Sequence, residues 1–329
     1  MLPDFAALTS IGAFAVAVLA AMTMGFAIQR GGTCMVSAVD EAVSKRKATK
    51  LLALGEASLW VSGLLALAAL AGMAGAVAPT YSAGAAALAG GILLGFGALA
   101  NGACVFGSVA RIGSRDWHFL LTPVGYFCGS LAHGLFGLPS EAKLAHPAHP
   151  LGGWLLLVLF LPLLAYRLYE LVVARRQGGV ADTLWHPHRA TIVIGIAFVV
   201  LVLAAGPWTY PEALWRAAHQ GIAPMATDTL LFLALLGGAV IGGWRGDTGA
   251  PWSARTAFAC FGGGALMGLG SAMIPGGNDN LSLVGIPMLQ PYAWLAIAAM
   301  AASIWAGLHV KARLRKLVPA PCAGDLHLR

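Results

Sequence analysis

Two cysteines in this chain stand in matching company. GFAIQRGGTCMVSAV, Gly25 to Val39, aligns without gaps on GFGALANGACVFGSV, Gly95 to Val109, so that Gly25 meets Gly95 and Cys34 meets Cys104. A third stretch, GLGSAMIPGGNDNLSL from Gly268 to Leu283, aligns in the same way and places Gly277 where the cysteines stand. A thiol is a weak hydrogen-bond donor with a soft, polarizable sulfur, so two of them can touch a soft solute at little cost. A thiolate would repel a negatively charged solute, so the protonated form is the one such a contact needs.

The elements that position these thiols are interrupted helices. Each stretch closes an apolar run able to span a bilayer, then passes through glycine and small residues where a helix loosens. A break frees backbone N–H and C=O groups that hydrocarbon cannot satisfy, so it must be buried in protein or line a wet cavity. Helix N-termini formed at the breaks supply N–H donors and a partial positive end, and glycine lets backbone approach an anion closely. The candidate path therefore comprises Cys34, Cys104, Gly32, Thr33, Gly97, Asn101, Gly102, Gly276, Gly277, Asn278, Asp279 and Asn280. Asp279 is the awkward member, because a carboxylate beside an anion path repels it unless paired, protonated or facing N–H donors.

Composition sets the class. Of 329 residues 59% are hydrophobic and 10% charged, far from the soluble range. The chain reads as an all-α, polytopic integral membrane protein with about nine transmembrane helices of ~20 residues, plus short broken or re-entrant helices. The spans fall near 8–29, 50–77, 83–107, 117–137, 151–174, 190–206, 225–243, 255–274 and 290–311. The net charge of +7 sits in loops, around Lys45–Lys50, Arg111 and Arg115, Arg175–Arg189, Arg245 and Arg255, and Lys311–Lys316. That pattern fits the positive-inside rule and excludes a nucleic-acid partner. It puts the N-terminus outside and the C-terminus in the cytoplasm of a bacterial-type inner membrane. The first run lacks a basic n-region and a cleavage site, so it reads as a retained helix.

An inverted repeat follows from the spans. Moving Cys34 forward by the offset between Cys104 and Gly277 lands on Pro207, where AAGPWTYPEALWRAA leaves span six for a short amphipathic helix, as GGTCMVSAVDEAVSKRK does after span one. Residues 1–150 then form a first half, 151–189 a connecting span and inner loop, 190–311 an inverted second half and 312–329 a cytoplasmic tail. In transporters so built, the site lies near the midplane where broken helices meet.

The segments GFGALANGAC, RGGTCMVSAVDEA and GGGALMGLGSAMIPGGNDN resemble the YeeE/YedE (TsuA-like) family of sulfur-compound and thiosulfate transporters, whose G-A-x-L-A-x-G-C signature is nearly reproduced by Gly97–Cys104. The resemblance implies an hourglass-like path along which cysteines pass a small sulfur-containing anion, with Cys34 and Cys104 as the first-half members. The residues themselves point to no cofactor and no metal: the His146–His149 and His186–His188 pairs offer two nitrogens each, which make no closed site. Where the family carries Gly-Cys in the second half, this chain has Gly276-Gly277-Asn278-Asp279-Asn280, so one relay thiol is missing.

Other residues carry plainer readings. Cys128 and Cys260 read as packing residues, and Cys322 as incidental in a polar tail. Asp40 and Glu41 meet Lys45 and Arg46 at helical spacing, and Glu56, Arg167 and Glu170 sit near span ends as interface pairs. His118 and His133 on span four are the nearest approach to haem ligands, but the remaining histidines lie in loops or at span ends. Neither a nucleotide loop nor a hydrolase constellation is present in the sequence, so the chain reads as a non-enzyme. Two functions remain: transport of a small sulfur-containing anion, or another sulfur or selenium compound, through the bilayer; or a membrane subunit docking a cytoplasmic TusA-like sulfur-carrier protein through its basic loops.

Overall fold

The computed structural model describes residues 5–73, 79–144, 151–176, 185–221, 226–244, 249, 251–274 and 276–317. Cys322, Arg245, His146, His149 and the tail beyond Leu317 lie outside the described residues. Among the described residues the chain is all-α apart from one antiparallel pairing of two two-residue strands. In order come α1 (Phe5–Gly31), α2 (Met35–Lys45), α3 (Thr49–Leu70), β1 (Thr80–Tyr81), α4 (Ala85–Asn101), α5 (Val105–Gly113), a tight helical turn at Trp117–Leu120, and α6 (Leu121–Phe136). Then follow β2 (Lys143–Leu144), α7 (Leu151–Arg176), α8 (Pro187–Ala205), α9 (Tyr210–Gln220), α10 (Ala226–Gly243), α11 (Ala254–Met273), the short α12 (Asn278–Asn280) running into a wider turn at Leu281–Gly285, and α13 (Pro291–Leu317).

Eight segments among the described residues are long and apolar enough to cross a membrane, and α7, with 26 residues, is a ninth long helix. This is a polytopic helical membrane protein: in hydrocarbon each helix satisfies its own backbone. The span ends differ from expectation. The second span stops at Leu70 rather than 77, the fourth opens as a tight turn before α6, and the last runs on to Leu317, into the stretch expected to be tail. Pairing of Thr80 with Leu144 and Tyr81 with Lys143 was not expected, because two residues per strand leave no alternation to detect.

Glycine decides how closely the helices approach. Without an oily solvent difference between helices, packing depends on small residues that let backbones touch. A methyl on Gly238 of α10 would collide with the Met22 carbonyl of α1, one on Gly125 or Gly129 of α6 with carbonyls of α11, and one on Gly95 of α4 with Ser303 of α13. The principal packing pairs are α1 with α10 and α3 with α8, α6 with α11 and α4 with α13, and, at the centre, α1 with α8 and α4 with α11. Gly238→Leu is therefore expected to abolish folded protein, read as loss of the monodisperse peak in fluorescence-detected gel filtration. Gly262→Leu, where nothing lies within 4 Å of the added carbon, is expected to leave the peak in place.

Loops are pinned by Glu141. One carboxylate oxygen accepts the N–H groups of Gly84 (2.9 Å) and Ala87 (2.7 Å), and the other accepts the Ser82 hydroxyl. The side chain thus caps the N-terminus of α4 from a loop 54 residues away, doing the work of a local N-cap. Burial disfavours its charge, but the bonds from Ser82, Ala87 and Gly84 outweigh that and hold its carboxyl below the ordinary carboxylate value of 4.5. A depressed folded pKa stabilises the cap above the unfolded value and loses that contribution as pH falls through the folded one. Hydrogen exchange at Gly84 and Ala87 is expected to be protected at neutral pH and to lose the cap-dependent part of that protection well below pH 4.5. In Glu141→Gln that pH dependence should be absent.

Asp40 and Glu41 do not pair with Lys45 and Arg46 as their spacing predicts. Asp40 accepts the Ser44 hydroxyl at 3.0 Å, and Glu41 accepts the Lys50 N–H at 3.0 Å, joining α2 to the first turn of α3. The chain reverses between these helices with Arg46 in the left-handed region, which brings the α3 N–H groups within reach of Glu41.

Candidate functional site

Four interruptions lie where the sequence places its breaks. Cys34 caps α2 in extended backbone (φ −150°, ψ 128°) and Thr209 caps α9 in nearly the same conformation (φ −134°, ψ 150°). Cys104 caps α5 (φ −77°, ψ −177°) and Gly277 caps α12 (φ −74°, ψ 179°) with almost identical angles. Just before these caps the chain turns through positive φ, at Gly102 (78°) and Gly276 (108°) among others, a conformation that glycine adopts without a Cβ penalty.

The breaks are tied to one another. The N–H of Met35 donates to the Cys104 sulfur at 3.2 Å, and the N–H of Cys104 donates to the Cys34 sulfur at 3.4 Å. Each thiol therefore accepts an amide from the break that carries the other. The Val105 N–H donates to Asn278 Oδ1 at 3.3 Å, and the Tyr210 hydroxyl donates to the Val105 carbonyl at 3.2 Å. The starts of α2, α5, α9 and α12 thus meet at one place, and α2, α5 and α9 are long enough to direct partial positive charge toward it. Cys34 is 9% exposed and Cys104 fully buried, so the meeting point is sealed in this conformation.

The other path candidates divide by position. Asn101 is buried and staples the second break: its amide donates to the Ala103 carbonyl (2.7 Å) and Ser108 Oγ (2.9 Å), and its Oδ1 accepts from Thr122 (2.8 Å). Thr33 is buried, and its hydroxyl has no hydrogen-bond partner among the described residues. Gly32 and Gly102 are exposed with open space beside them, whereas Gly97 faces the Gly263 carbonyl of α11 in a close helix contact. Gly277 abuts Asp279, Tyr126 and Pro211. Asp279 is 2% exposed and takes the Asn280 N–H at 2.8 Å, the N–H arrangement that tempers its charge. Asn280 and Gly276 line a cavity of about 420 Å³ with Tyr81, Glu141, Glu212 and Arg216.

Asn101→Ala is expected to loosen the break by taking the donor from the Ala103 carbonyl and the acceptor from the Thr122 hydroxyl, at about 1–3 kcal/mol for a buried polar group left without its partner. Its signature is faster cysteine alkylation at Cys104 in otherwise folded protein. Ser108, Thr122, Tyr126, Thr209 and Tyr210 were not among the sequence candidates. Only Thr209 and Tyr210 carried a signal, since they adjoin the Pro207 break.

The histidines singled out on span four do other work. Ser253 N–H donates to His118 Nε2 (2.7 Å), so Nδ1 carries the proton toward Asp116 (2.7 Å), and the ring stacks on Trp252. His133 Nε2 meets Ser140 at 3.2 Å. Cys34, Cys104, Cys128 and Cys260 are free thiols, and Cys260 is fully buried in α11.

Long apolar helices interrupted in the same region, with the resulting helix starts gathered around buried polar and thiol groups, define a membrane transporter of the broken-helix type. The chain belongs to the YeeE/YedE sulphur-transport family, whose model, described as sulphur transport, matches residues 30–306. It is a transporter of sulfur compounds. A comparison with curated proteins finds no match.

Proposed function

We propose that the protein carries a thiosulfate-like anion across the bacterial inner membrane, past Cys34 and Cys104 at the meeting point of the broken helices. The observation that carries this reading is the reciprocal amide-to-sulfur contact between the two breaks, at 3.2 and 3.4 Å. It holds both sulfurs at the N-terminal ends of α2 and α5, where backbone dipoles favour negative charge and the sulfurs offer a soft contact. The buried hydroxyl of Thr33, without a hydrogen-bond partner among the described residues, adds a donor an anion can use. The cavity at Gly276 and Asn280 is one mouth, and the exposed Gly32 and Gly102 mark the other.

The same reading includes an inverted repeat of residues 1–150 and 190–311 about α7. Matching cap angles at Cys34 and Thr209, and at Cys104 and Gly277, support it, as do the mirrored packing pairs α1–α10 with α3–α8 and α6–α11 with α4–α13. The basic residues of the loops then face the cytoplasm with the C-terminus. Thr209 and Gly277 replace the thiols in the second half, so the soft contacts are concentrated in the first.

Uptake of 35S-labelled thiosulfate into proteoliposomes tests the reading. Saturable uptake, competed by unlabelled thiosulfate far better than by sulfate, is the expected result, because sulfate has no terminal sulfur to offer. Uptake no greater than in protein-free vesicles would refute it.

A further inference from the structure

We propose that Asp279 is a proton-binding site, loaded from the cavity by way of Glu212, that couples each anion crossing to the movement of a proton in the same direction. The inference rests on the anion-transport reading above. Asp279 stands between the cavity and the thiols. Gly276 and Asn280, on either side of it in the chain, line the cavity, while Asn278 reaches Val105 at the start of α5 with a 3.3 Å bond.

Despite its burial, Asp279 has no cationic partner: none of the ion pairs among the described residues includes it. Its carboxyl is held by the Asn280 N–H at 2.8 Å, with the Thr209 hydroxyl beside it. The titratable groups that face it are Glu212 and Tyr210 from α9 and Tyr126 from α6, with Cys104 of α5 beyond Tyr210. All of these are neutral or anionic. Arg216, which lines the cavity, is already held by Asp228 at 2.9 Å and by Glu212 at 3.9 Å.

An anion cannot pass a buried carboxylate that no cation offsets, whereas a protonated carboxyl offers the anion a donor. Two acidic groups line the cavity: Glu141 is engaged in capping α4, and Glu212 is the one whose charge is felt at Asp279. The proton therefore passes from cavity water to Glu212, then to Asp279, and leaves on the far side after the anion. One O–H bond is made and broken at each carboxyl, and each crossing moves the anion's charge plus one.

The test uses wild-type protein in liposomes with a trapped pH-sensitive dye and the membrane potential clamped by potassium and valinomycin. An inward thiosulfate gradient with no pH difference should acidify the lumen in step with 35S uptake, near one proton per anion. An imposed inward proton gradient should speed uptake severalfold. Asp279→Asn should take up thiosulfate at a reduced rate with no acidification and no response to the proton gradient, and Glu212→Gln should acidify more slowly than wild type. Wild-type uptake without acidification would overturn the coupling and leave the transport reading intact. Acidification persisting in Asp279→Asn would overturn the assignment to this residue. No wild-type uptake at all would refute the transport reading and the coupling with it.

Discussion

Cys104→Ala is expected to lower the initial rate of thiosulfate uptake by roughly tenfold to a hundredfold while the protein remains folded. Two losses combine. The Met35 N–H, which donates to the Cys104 sulfur at 3.2 Å, is left without its acceptor in a buried site, a cost of about 1–3 kcal/mol, and every 1.4 kcal/mol is about a factor of ten. The anion also loses the polarizable contact at its narrowest point. Cys104→Ser separates the two, since a hydroxyl still accepts the amide but is neither soft nor as large. Its rate should fall between wild type and alanine. Uptake by the alanine variant at the wild-type rate would remove Cys104 from the path.

The second large effect concerns stability. Glu56, with a side chain 7% exposed, receives both Arg167 Nε (2.7 Å) and a terminal nitrogen (2.6 Å), and also meets His188 at 2.6 Å and Trp60 at 3.3 Å. Arg167 in turn reaches Glu170 at 2.5 Å. This cluster joins α3, α7 and α8. Removing one partner of a buried pair leaves a charge uncompensated and costs about 3–5 kcal/mol, a large part of the total stability of a typical domain. Arg167→Ala should therefore give little folded protein, read as a lowered thermal midpoint or loss of the gel-filtration peak in detergent. Glu56→Gln combined with Arg167→Ala should recover part of the loss, because the stranded charge is gone. A single Arg167→Ala variant as stable as wild type would mean that water or lipid headgroups replace the guanidinium without cost.

The breaks, and their meeting near the midplane, were legible in the sequence; the bonds that tie them together were not. Glycine next to a cysteine or proline at the end of an apolar run marks where a helix stops, and Gly102, Gly276, Cys104 and Gly277 fall where that rule puts them. Periodicity says nothing about which breaks meet, so the contact between Cys34 and Cys104, 70 residues apart, needed the packed structure. Glu56, Arg167 and Glu170 were each readable as charges near a span end, but the bond from Arg167 to Glu56 spans 111 residues. Asn101 adjoins Gly102 at the break, while Thr122 and Ser108, which share its hydrogen bonds, look like ordinary small helix residues. Gly97 shows how one residue type serves two ends. It lies near the break, and its missing side chain also lets α4 approach the Gly263 carbonyl of α11. Glycine for bending and glycine for packing look alike in sequence.

The most direct test of the central claim is the position of bound substrate in a structure of the protein with selenosulfate, the anion whose terminal sulfur is replaced by selenium. The anomalous selenium signal should lie in van der Waals contact with the sulfurs of Cys34 and Cys104, between the starts of α2 and α5. A well-occupied selenium site elsewhere in the bundle, with the two thiols still bonded only to each other's breaks, would contradict it.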